Sequence, residues 1–198
     1  MAEKLQKLIQ EPIIKRRSQT LLRTLPTETL ERWKAKWHSP KAFLAYWHPS
    51  NTIQALTKPI QAWTEEYPTL NQATAMFGAP TVRMFIGTQL GAYLNLNTTA
   101  SARLTEEQLQ TMCREILSVM RNYTVSEVTL FFAQLRTGMW RMYGNTSREI
   151  CDKFRHEFMD YRNACIDEAE SLKRQQKRQE REPRCVTYEE YSKSKTNH

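Results

Sequence analysis

The 198-residue chain carries 29 Lys+Arg against 21 Asp+Glu, a formal net charge of +8, at a mean hydropathy of −0.68. That length suits one ordinary domain with tails, or two small ones. Five glycines are too few for a turn-rich β-barrel or sandwich, no run reaches the roughly 18 apolar residues of a membrane span, and the opening Met1–Lys7 lacks the apolar core of a secretory signal.

Helix punctuation dominates from the start. Leu5, Leu8 and Ile9 suit a short opening helix closed by Pro12, after which Lys15, Arg16 and Arg17 lead towards Leu21, Leu22 and Leu25. Beyond Pro26, Thr27 is expected to cap a helix whose Leu30, Trp33 and Trp37 share one face. Arg32, Lys34 and Lys36 lie off that face, and Pro40 ends the helix. The segment Ser39–Trp47 repeats the cap-then-proline start. Pro49, Pro59, Pro68 and Pro80 then divide the next stretch into short helical pieces, since a first-turn proline sacrifices no intrahelical bond.

A longer helix is expected from Pro80 to about Leu94, where Gly87 and Gly91 lie four apart and would let a neighbour approach closely. Thr105 and Gln108 have capping-box spacing ahead of a stripe of Leu109, Met112, Ile116, Leu117 and Met120. Thr124 and Glu127 open the next helix through Val128, Phe131, Phe132 and Leu135, with Gly138 as its C-terminal stop. Thr146 and Glu149 open the last and longest one. There Ile150, Phe154, Phe158, Tyr161, Cys165, Ala169 and Leu172 recur at helical steps on one side. Apolar residues stop at Leu172, and any helix beyond it is expected to be unpacked and to fray before Pro183.

The predicted fold is therefore all-α: a single-domain bundle of short helices with a long C-terminal helix and basic, flexible termini. Its parts are a basic arm over 1–25, a helical core over 26–172 and a basic tail over 173–198. Charge follows the same division. Residues 1–50 are net +6, residues 51–125 neutral, residues 126–170 net −2 and residues 171–198 net +4.

No phosphate-loop, dinucleotide, nucleophile-elbow or zincin motif occurs. Cys113, Cys151, Cys165 and Cys185 are too far apart for paired zinc ligands, so free cytosolic thiols are expected, with no metal or other cofactor. Asp152, His156 and Asp160 share one side of the last helix, but on an outward face such groups pair with neighbours rather than close a pocket. An enzyme is not expected. Arg141, Arg148, Arg155 and Arg162 recur every seven residues at the border of the apolar stripe; pairing with acids is favoured there over a row of phosphate contacts. Trp33, Trp37, Trp47 and Trp63 are expected to be buried rather than to stack on bases.

The cationic ends remain. Lys15, Arg16 and Arg17 in front, and Lys173, Arg174, Lys177, Arg178, Arg181 and Arg184 behind with only Glu180 and Glu182 opposing, suit a phosphate backbone followed without base readout.

The block Phe131-Phe132-Ala-Gln-Leu-Arg136-Thr-Gly138-Met-Trp140-Arg-Met-Tyr143-Gly144, followed by a helix with Phe154, Phe158, Tyr161 and Arg162, resembles uncharacterised proteins of Bacteroides-type bacteria and their phages and mobile elements. Val186–Tyr191 is similar to a tail of such proteins. The resemblance covers about a quarter of the chain, with Trp140 in place of a more usual tyrosine and Ser147 in place of an aspartate. It implies a cytoplasmic protein connected with mobile DNA and transfers no functional residue. Read for itself, the block is a corner, with Gly138 and Gly144 permitting φ > 0 and Trp140 and Tyr143 anchoring the turn.

The functional expectation is a non-enzymatic, nucleic-acid-associated accessory factor of the loader or adaptor kind, binding non-specifically through its basic termini. The alternative is a protein–protein adaptor without nucleic-acid contact, docking through the last helix or the Tyr188–Tyr191 tail. Neither reading involves a membrane.

Overall fold

The computed structural model describes residues 26–51, 56, 59–97, 104–144 and 146–181, without the side chains of Thr64, Leu96, Asn97, Glu180 and Arg181. The proposed opening helix, the cluster Lys15, Arg16 and Arg17, and the tail with Arg184, Cys185 and Tyr188–Tyr191 lie outside these residues. The class is all-α, as expected. In chain order the helices are α1 (Thr27–Lys36), α2 (Pro40–Tyr46), a 3₁₀ turn (Pro49–Asn51), α3 (Gln61–Thr64), α4 (Leu70–Phe77), α5 (Ala79–Asn97), α6 (Glu106–Met120), α7 (Val125–Arg136), α8 (Ser147–Lys153), a π turn (Phe154–Phe158) and α9 (Met159–Arg181). The chain divides into two units, one ending at Phe158 and the other beginning at Met159.

Helix starts follow the side chains that can satisfy orphan N–H groups. Thr105 and Thr124 form the expected capping boxes with Gln108 and Glu127. Thr69 and Gln72 make a third that the sequence reading passed over. Ser39 accepts from the Ala42 N–H at 3.2 Å, with Pro40 at the first helical position. Thr27 does not cap α1. It is already the first helical residue, and Pro26 occupies the cap position without a side-chain bond. Pro40 is not the stop of α1 either, because that helix closes at Lys36.

In the first unit α7 is the centre, and every residue from Val125 to Leu135 is buried. A helix buried on all sides needs its polar side chains answered. Ser126 Oγ donates to the Ala62 carbonyl of α3 at 2.8 Å and Glu127 is taken up by the cap, whereas Thr129 Oγ1 and Gln134 Oε1 have no hydrogen-bond partner among the described residues. The starts of α4 and α7 are stitched together: Leu70 N–H donates to Tyr123 O at 3.0 Å and Val125 N–H to Pro68 O at 2.9 Å. This isolated bridge between Thr69 and Thr124 sets two capping boxes side by side.

Around α7, α5 packs on α2, α4 and α6, and α6 packs on α8. The glycine spacing in α5 has a plainer explanation than close approach. A Cβ on Gly91 would meet nothing within 4 Å, and one on Gly87 would sit 3.6 Å from Cys113 Sγ, ordinary contact. Gly91→Ala should therefore raise stability by about 0.5–1 kcal/mol through helix propensity alone. A thermal melt with a raised midpoint would bear this out, and a lowered one would refute it.

The last stretch is helical from Ser147 to Arg181. Ile150, Phe154 and Phe158 are fully buried, as the stripe predicted. The π turn was not foreseen. Its wider winding advances each residue by less than an α turn, and the Phe154 and Phe158 rings stack, 5.1 Å apart at 20°. In the second unit, helix continues past Leu172, so the core boundary expected there falls inside α9. Lys, Arg, Gln and Glu are good helix formers, and the Glu170–Arg174 pair at 3.1 Å spans one turn across that point.

Candidate nucleic-acid interface

Because α9 is helical to its end, the tail cations acquire a definite arrangement. At about 100° and 1.5 Å per residue, Lys173, Lys177, Arg174 and Arg178 fall within roughly 140° of one another, over an axial rise of about 7.5 Å. Arg174, Lys177 and Arg178 border one shallow groove with Ser171 and Gln175. All four cations are exposed. Glu170 reaches this face through its bond to Arg174, and Glu180 falls beside Lys173 in the helical winding, its side chain outside the described residues. Gln175, Gln176 and Gln179 fill the remaining side, so the helix carries one charged face and one neutral polar face. Arg181 ends the helix, and its side chain lies outside the described residues. Duplex DNA presents a charge per about 1.7 Å of axis, which the density of this cationic face matches.

The other candidate groups behave differently. Trp33, Trp37 and Trp47 are buried, at 4%, 1% and 6% exposure, whereas Trp63 is only half-buried. The first donates its indole N–H to Glu66 O at 3.1 Å. Of the heptad-spaced arginines, Arg148 and Arg155 both lie beside Asp152, at 3.8 and 3.9 Å, on their own helix rather than against a neighbouring one. Arg141 places its guanidinium 5.2 Å from the Tyr143 ring. Pairing therefore describes Arg148 and Arg155, and it also engages Asp152 of the supposed Asp152–His156–Asp160 grouping.

The corner block needs correction. Gly138 does adopt φ +74° as the stop of α7, but Gly144 does not have positive φ; Gly78, at φ +89°, is the second glycine that does. What Gly144 supplies is room, since a Cβ there would lie 3.2 Å from Glu149 Oε2. Glu149 does not return to its own cap residue, Thr146. Its carboxylate instead accepts from the Tyr143 N–H at 2.5 Å and the Gly144 N–H at 2.7 Å. Nor does Tyr143 anchor anything by burial, being 81% exposed.

Cys113 and Cys151 are buried free thiols. Burial pushes both above the ordinary thiol range, Cys151 to about 11, so at neutral pH they remain protonated and behave as small hydrophobes. Among the described residues no His, Cys, Asp and Glu group gathers as metal ligands would, and no helix is long and apolar enough to cross a membrane.

One feature escaped the sequence altogether. Lys36, on the polar side of α1, holds its ammonium over three aromatic rings, those of Trp37, Tyr46 and Tyr67. They come from three separate segments, so no local pattern announces them. No family model, curated protein or solved structure matches the chain.

Proposed function

We propose that the protein is a non-enzymatic accessory factor of the loader or adaptor kind, which associates with nucleic acid in the cytoplasm through its cationic ends. The observation that carries this reading is the single face of α9 bearing Lys173, Arg174, Lys177 and Arg178, with Glu170 the one carboxylate paired to it among the described side chains. A rigid row of cations releases condensed counterions from a phosphate backbone without reading base edges, so the binding is non-specific and strongly salt-dependent. Lys15, Arg16 and Arg17 add a second cationic cluster at the other end of the sequence.

The test is a salt titration of duplex and single-stranded binding with the full chain. Replacing Lys173, Arg174, Lys177 and Arg178 by Gln should reduce the slope of log K against log salt by about 3–4 units for duplex. Neutralising Lys15, Arg16 and Arg17 as well should reduce it further. An unchanged slope in both variants sinks the reading. The adaptor alternative draws on Leu172, which is 52% exposed. It wins if the bare protein never shifts nucleic acid while removal of 173–198 abolishes capture of a protein partner from the native host.

A further inference from the structure

We infer that Trp37, Tyr46 and Tyr67 form a receptor for a quaternary ammonium group, and that the Lys36 ammonium is its built-in, displaceable occupant.

The rings are fixed before any ligand arrives. Trp37 is 1% exposed and wedged edge-on between Phe43 at 5.8 Å and Tyr46 at 5.6 Å. Trp47 braces both tyrosines, with centroids 5.0 Å from Tyr46 and 5.2 Å from Tyr67. The Tyr67 hydroxyl donates to Glu65 Oε2 at 2.5 Å, which sets the ring's tilt. Burial and that hydrogen bond both push the phenol up, so it stays neutral and keeps the bond through the physiological range. Such bracing removes most of the ordering cost that a cage would otherwise pay on binding.

Three faces then converge on one point. Lys36 Nζ lies 4.6 Å from the Tyr46 centroid, 5.0 Å from Tyr67 and 5.3 Å from Trp37, within the range where a ring quadrupole attracts a cation. Lys36, Trp37 and Tyr67 border a cleft of about 460 Å³, together with Arg32, Trp33, Glu65 and Glu66, while Tyr46 closes the cluster beside it. The negative rim adds to the attraction for a cation. Arg32 already satisfies Glu66 at 2.5 Å, so the rim is a weak field rather than a salt-bridge partner.

Lys36 is a poor fit for the place that it fills. It is exposed, and no carboxylate among the described residues pairs with it. A primary ammonium is compact and strongly hydrated, so contact with three rings costs it water. A quaternary ammonium is weakly hydrated, spreads its charge over methyl groups and matches aromatic faces, which is why aromatic cages select it. The tethered lysine therefore acts as a competitor present at an effective concentration of order millimolar, and its removal should unmask the site. This inference stands apart from the reading of α9.

The probe is tetramethylammonium chloride, titrated into the full-length protein while the tryptophan indole N–H resonances are followed, with sodium chloride at matched ionic strength as control. Lys36→Ala should lower the half-saturating concentration about tenfold relative to the native chain, as expected when a tethered competitor is removed. Adding Tyr46→Ala, at a position 42% exposed and so tolerant of truncation, should weaken binding again by about tenfold as one ring is lost. Circular dichroism of each variant checks that the helices persist. The inference is overturned if Lys36→Ala binds no more tightly than the native chain, if its shifts merely track sodium chloride without saturating, or if Tyr46→Ala changes nothing.

Discussion

Phe131→Ala is expected to cost about 3–5 kcal/mol, a large share of the stability of an ordinary domain. Phe131 has no exposed surface, and it sits where three other rings meet. Phe132 lies 5.5 Å away, Phe154 5.1 Å and Phe158 5.4 Å, each in edge-to-face geometry. The truncation removes the transfer energy of the ring and leaves a cavity walled by side chains that cannot collapse into it. Phe154 is also held by Tyr123 at 4.7 Å, and the Phe154–Phe158 stack is built into the π turn. In urea the midpoint should fall with little change in slope. Met84→Ala, at a residue 60% exposed, should move the same midpoint by an amount equivalent to no more than about 0.5 kcal/mol. Equal effects of the two substitutions would mean that the aromatic cluster is not the keystone of the first unit.

Local signals were the ones that the sequence displayed openly. A hydroxyl followed three residues later by Glu or Gln marks where a backbone can satisfy its own ends, and Thr105 and Thr124 do so as read. Gly138 stops α7 for an equally local reason, its positive φ. The readings that failed depended on partners distant in space. Glu149 has the spacing of a capping box with Thr146, yet its carboxylate finds better donors in the Tyr143 and Gly144 amides. Gly144 is needed for space beside that carboxylate rather than for its dihedral. The π turn leaves no trace in an apolar pattern, because steps of three and four fit an α-helix equally well.

The candidate interface was half legible. The cations of the tail are obvious in the sequence, but whether they form a face depends on helix persisting beyond the last apolar residue. A segment without apolar anchors offers no amphipathic pattern by which to judge that persistence. The aromatic cluster around Lys36 was legible only through tryptophans that mostly sit at core spacing. Burial of Trp37 and Trp47 followed from that spacing; the convergence of Tyr46 and Tyr67 on a lysine from α1 belongs to tertiary structure.

Gln89→Leu should destabilise the first unit by about 2–4 kcal/mol despite conserving volume, because the residue's value is polar. Gln89 is fully buried in α5. Its amide donates to the Trp47 carbonyl at 2.7 Å, and its oxygen accepts from Arg136 at 3.1 Å. Arg136 also reaches the Pro49 carbonyl at 3.4 Å, so the Gln89–Arg136 pair ties the end of α2, the 3₁₀ turn and the end of α7 together. Burial pushes the Arg136 guanidinium down from its ordinary value, yet an arginine stays charged, and a partly desolvated cation that loses an acceptor is costly. Leucine also strands the Trp47 carbonyl in the core. Arg136→Met removes the cation instead, and in its presence Gln89→Leu should cost less, with a coupling of about 1–2 kcal/mol in a double-mutant cycle. Additive effects would assign the loss to the Trp47 carbonyl and to packing around α5 rather than to the Gln89–Arg136 bond, because a hydrogen-bonded pair cannot be broken twice.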